Sequence, residues 1–121
     1  MEKEFVPYEL AVKLKQIGFD EPCFGFYSNG ELIYNIFTNN EMQRFRYAAP
    51  TFSQCFRWFR ENYNLYHTID KQGYWFFQIK KDEGFGDLTE VIVTYDYNSY
   101  EEAELACLDK LIEIAENEKT L

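Results

Sequence analysis

PCFGFYSNGELIYNIF (residues 22–37) sets two apolar runs on either side of Asn29-Gly30. A two-residue type I′ turn needs positive φ at both central positions, and Asn-Gly supplies it at little steric cost. The stretch reads as a β-hairpin, so an antiparallel sheet is the starting point for the fold.

Upstream, PYELAVKLKQI (7–17) reads as a helix. Pro7 suits the first helical position, Glu9 complements the positive end of the helix dipole, and Gly18 is a stop. Leu10, Ala11, Leu14 and Ile17 recur at helical spacing and define its buried face. Downstream, TNNEMQRFRYAAP (38–50) has no clean period and is expected to be a long loop.

TFSQCFRWFREN (51–62) begins a second helix, with Thr51 and Gln54 placed as a capping box. Phe52, Cys55, Phe56, Phe59 and Tyr63 share one face, which is a core face. Arg57 and Arg60 fall on one flank and Trp58 on the other. Three strands follow: LYHTID (65–70), YWFFQIK (74–80) and EVIVTYD (90–96). Lys71-Gln72-Gly73 turns between the first two, and the acidic loop KDEGFGDLT (81–89) precedes the third. Trp75, Phe77 and Ile79 share one strand face, Tyr74 and Phe76 the other. The middle strand is thus either covered on both sides or part of an exposed aromatic platform. The last helix, 99–117, starts on Ser99 and Glu102 as another capping box, with Ala103, Cys107, Leu111 and Ile114 as its buried stripe and Leu108 and Ala115 beside it. The expected order is α-β-β-α-β-β-β-α, a single α+β domain over 1–121 with a mostly antiparallel sheet.

EFVPYELAVKLKQIGFDEPCFGFY, APTFSQCFRWFRENYNL and SYEEAELACLDKLIEIAEN resemble a family of small uncharacterised proteins of Bacteroides-type gut bacteria, their mobile elements and phages. The likeness spans most of the chain and implies a cytoplasmic accessory or phage-derived protein, without an activity. The order helix, three strands, helix over 51–118 also resembles double-stranded-RNA-binding domains. In that family lysines at the start of the last helix grip phosphates. Here those positions carry Glu101, Glu102 and Glu104, so the order is shared without the binding chemistry.

The net charge of −9 opposes non-specific attraction to nucleic acid or anionic membrane. MEKEFVPYEL at the start has no apolar run of the secretory kind, and no stretch has the length to span a bilayer. Cys23, Cys55 and Cys107 are widely spaced and form no C-x-x-C pair, so reduced thiols in a cytoplasmic setting are expected.

Candidate chemistry is sparse. His67 is the lone histidine and lies in a strand pattern, where an ordinary half-buried position competes with acid–base work. Each cysteine falls in an apolar segment, unlike an activated nucleophile. DEGFGD (82–87) offers carboxylates without the order of a calcium loop. No cofactor or metal is expected.

Charge layout says more. All four arginines lie within 44–60, and no acid interrupts 42–60, whereas 82–118 carries twelve acids and one base, Lys110. Arginine interleaved with aromatics is the composition of interface hot spots. Arg44, Phe45, Arg46, Tyr47, Arg57, Trp58 and Arg60 are therefore the candidate partner-binding residues. Pairing of these arginines with the acidic helix inside the fold is the competing account. The leading functional expectation is a non-enzymatic protein-interaction module, with an unidentified protein or a second copy as partner and no membrane; nucleic acid or another anion is the lesser alternative for the arginines. An acidic decoy occupying the nucleic-acid site of a host defence protein is the alternative, and a small enzyme without a recognisable catalytic set comes third.

Overall fold

The structure, a computed structural model, describes residues 2–41 and 45–119. The chain is α+β with two three-stranded antiparallel sheets. It divides into two compact units, 1–55 and 56–121, and the division falls inside the second helix.

In the first unit, α1 (Tyr8–Gln16) follows Pro7 and buries Leu10, Ala11 and Leu14. It ends in a Schellman motif. Gly18 has φ 98°, its N–H donates to the Lys15 carbonyl, and the Phe19 N–H donates to the Leu14 carbonyl at 2.9 Å. β1 (Cys23–Ser28) and β2 (Glu31–Phe37) form the expected hairpin. Ser28 pairs with Glu31, and Asn29 and Gly30 have φ of 54° and 77°, as a type I′ turn requires.

The segment after the hairpin is more ordered than a loop. A 3-10 turn at Asn39–Glu41 leads to β3 (Arg46–Ala48), which pairs with β1 through Phe26↔Ala48, Tyr27↔Tyr47 and Ser28↔Arg46. The sheet order is β2-β1-β3. Asn39 pins this return. Its buried amide donates to the Phe19 carbonyl at 2.7 Å and accepts the Ala48 N–H at 2.8 Å. A lost partner here would strand a buried polar group. Phe5, Ala11, Tyr27 and Ala49 form a core cluster, with Leu32 and Tyr47 packed on it. The Tyr27 hydroxyl donates to the Val6 carbonyl at 2.7 Å, so the ring is buried without an orphaned group.

α2 (Phe52–Tyr63) starts on Thr51, whose Oγ1 accepts the Gln54 N–H at 3.2 Å. Its continuation belongs to the second unit, with the meander β4 (Leu65–Gln72), β5 (Tyr74–Asp82) and β6 (Leu88–Tyr97), then α3 (Tyr100–Lys119). β5 is central and α3 packs chiefly against it. Phe77 and Ile79 are buried on that side, facing a helix stripe of Ala103, Cys107, Leu108, Leu111, Ile112 and Ala115. Ile112 is buried and the expected Ile114 is half-buried; the buried arc is centred near Leu111 and Ala115, which brings Ile112 in at one margin and leaves Ile114 towards the other. Ser99 caps α3, its Oγ accepting the Glu102 N–H at 3.1 Å, while the Glu102 carboxylate accepts the Asn98 N–H at 3.0 Å. No described helix is long and apolar enough to cross a membrane.

Candidate functional site

The candidate residues fall in both units. Arg44 lies outside the described residues. Phe45, in the first unit, is 72% exposed. Alternation along β3 then sends Arg46 and Tyr47 to opposite faces. The Arg46 guanidinium carbon stands 5.6 Å from the Phe26 ring centroid. Tyr47 is half-buried, edge-on to Tyr8 at 5.8 Å, and the Lys15 ammonium stands 5.2 Å from its centroid. The same ammonium donates to the Arg46 carbonyl at 2.9 Å. Of the described residues of this segment, Arg46 and Tyr47 belong to the sheet, and Phe45 and Arg46 are exposed.

In the second unit Arg57 is exposed and its Nε lies 3.2 Å from the Glu61 carboxylate one turn on. Arg60 is half-exposed, and its charge acts on His67. Trp58 departs from the expectation that it forms part of a binding surface. It is only 7% exposed, edge-on to Phe59 at 5.0 Å and tilted against Tyr63 at 5.5 Å. Position 58 adjoins 55 and 59 around the helix, so widening the apolar stripe by one residue takes the indole into the core.

The groups that could have carried catalysis sit in apolar surroundings. All three thiols are free and buried. Burial, with Glu21 nearby, pushes Cys23 up to about 12. Burial also raises Cys55 and Cys107 well above the usual thiol range. A thiolate nucleophile needs the opposite environment. His67 is largely buried and stacked on Phe56, and its pKa falls to about 4 through burial and the Arg60 charge. In the acidic loop the Gly84 N–H bonds the Asp82 carboxylate at 2.9 Å. Asn64, Lys81, Asp82, Glu83, Gly84 and Phe85 line an open depression there. No cluster of potential metal ligands occurs among the described residues.

The alternation of residues 74–80 leaves open which face of β5 is covered. One is core; the other is open. On the open face Tyr74 is 59% and Tyr95 56% exposed. The Phe76 and Tyr95 rings lie 5.1 Å apart, and Gln78 and Val93 are register partners beside them. The signal was apolar residues at both parities over 74–77, which shows that two faces are apolar but not which one a helix covers. Lys80 and Glu90 pair in register below the aromatics, and the Gln78 amide donates to the Glu90 carboxylate at 2.9 Å.

Comparison with protein-family models, curated proteins and solved structures gives no significant match.

Proposed function

We propose that this chain is a protein-interaction module that binds a protein partner through the open face of its second sheet. The observation that carries this reading is the group of exposed Tyr74 and Tyr95 with half-buried Phe76, on β5 and β6, across the sheet from buried Phe77 and Ile79. Large rings on a rigid sheet lose little conformational entropy on binding, and tyrosine offers both an apolar body and a polar tip. The face is flanked by charges of both signs, Asp70, Lys80 and Glu90, which suits a mixed protein surface better than a phosphate backbone. The buried, unbridged thiols support a cytoplasmic setting, where such groups stay reduced.

The test is capture from an extract of the native host with immobilised protein, wild type against a Tyr74→Ser/Tyr95→Ser double variant. These side chains are exposed, so the double variant retains the fold, checked by circular dichroism. The expected result is a protein held by the wild type and lost by the double variant. Equal recovery of that protein by both, or recovery of none, overturns the reading.

A further inference from the structure

On the open face of the second sheet, rings and charges are sorted along the strands. Asp70 of β4 is exposed and is the register partner of Phe76, so its carboxylate stands on the same face as the rings. One of its oxygens accepts the Lys71 N–H at 2.8 Å. The Lys71 charge does not offset it there. Lys71 is the register partner of Trp75 on the other face, and its ammonium stands 5.8 Å from the Trp75 ring centroid. Among the described residues of the open face the one base is Lys80, which pairs in register with Glu90. It lies four residues along β5 from Phe76, about 13 Å at the rise of a strand. The aromatic end is therefore bordered by negative charge. It belongs to a unit, residues 56–121, that carries fourteen acids against seven bases.

β6 is shaped at the same end. Trp75 pairs with Tyr97 and Phe77 with Thr94, so β6 holds one extra residue over this span. Asp96, at φ 79°, takes up the extra length as a bulge. Tyr95 comes to lie beside Phe76, with ring centroids 5.1 Å apart and planes only 34° from parallel. Two rings so disposed make a shallow platform, not a walled cage.

We infer that the protein partner of this face presents arginine, its guanidinium laid on the Phe76 and Tyr95 rings and its charge met by Asp70. The inference rests on the reading of the open face as the binding surface, and adds the chemistry of what that surface takes. A planar guanidinium stacks on a flat aromatic platform and keeps its charge, whereas the lysine ammonium is a compact, strongly hydrated point charge that gains less from such a surface. An acidic occupant would set like charges together at the border of the contact, and an apolar one would desolvate the Asp70 carboxylate without a partner. The acidic surroundings also raise the local concentration of a basic segment before contact.

Labelled peptides of one length, differing only in carrying arginine, lysine, glutamine or glutamate between glycines, test this by fluorescence anisotropy on the purified full chain. The arginine peptide is expected to bind more tightly than the lysine peptide, and the other two not to bind. Its affinity is expected to fall with added salt, by about tenfold in Tyr74→Ser/Tyr95→Ser and by about threefold in Asp70→Asn. Glu101→Gln/Glu113→Gln, which removes more charge but from α3, is expected to leave it unchanged. No binding of the arginine peptide overturns the inference. So does equal binding by Tyr74→Ser/Tyr95→Ser, which would assign the attraction to net acidity alone. Adding the same peptides to the capture experiment separates this inference from the reading beneath it. A protein lost by the double variant, and displaced from wild type by the arginine peptide but not by the glutamate peptide, supports both. A protein lost by the double variant but not displaced by the arginine peptide leaves the open face as the binding surface and overturns the arginine-bearing partner.

Discussion

The imidazole of His67 on β4 lies flat on the Phe56 ring of α2, centroids 3.7 Å apart and planes 16° from parallel. A stacked, largely buried imidazole is easier to hold neutral than charged, and the nearby Arg60 charge acts in the same direction.

The pH dependence follows from that contact. His67 titrates near 6.5 when unfolded and near 4 when folded. Between these values the unfolded chain binds the extra proton, so stability falls as pH drops through this window. The expected contribution of His67 is a loss of about 2–3 kcal/mol between pH 7.5 and pH 4. Denaturant titrations of wild type and His67→Gln at both pH values read it as the difference between the two proteins. An NMR titration of His67 with a midpoint near 6.5 in the folded protein would contradict it.

Phe56 and Arg57 are neighbours in sequence with opposite roles. Phe56 is buried beneath the stack, and Phe56→Ala is expected to cost about 3–5 kcal/mol through the cavity it opens. Arg57 makes an exposed pair with Glu61, and Arg57→Ala is expected to stay within about 0.5 kcal/mol. Chemical denaturation of both variants is the check. A larger loss for Arg57→Ala than for Phe56→Ala would reverse the two faces of α2.

Helix starts give a third expectation. Thr51→Ala removes the acceptor of the Gln54 N–H, and Ser99→Ala that of the Glu102 N–H. Each is expected to cost about 0.5–2 kcal/mol, and Thr51→Ser and Ser99→Thr to recover most of it. Thermal or denaturant unfolding of the four variants measures this.

The thiols give a fourth. Cys23, Cys55 and Cys107 are buried and hard to ionise, so labelling by a thiol reagent at neutral pH is expected to be slow in the native protein and fast in denaturant. Mass spectrometry of the labelled chain locates any exception. Prompt native labelling of Cys55 would place it outside the core.

Local chemistry was legible in the sequence by itself. Asn29-Gly30 determined the first hairpin, because few residue pairs adopt positive φ twice at low cost. Thr51 and Ser99 located two helix starts, because a cap bonds a group three residues away. The apolar period of 52–63 placed Phe56 and Phe59 inside. Tertiary structure decided what depends on distant partners. The three residues of β3 are a strand only because β1 and the Asn39 side chain take up their backbone groups, and no period can emerge over so short a span. Trp58 is core because Phe59 and Tyr63 close around it, although the pattern set it at the margin. The open face of β5 and the edge position of β2 share one cause. A strand pattern says which residues lie on the same side, but only the landing of α3 and the position of each strand in its sheet say which side meets water.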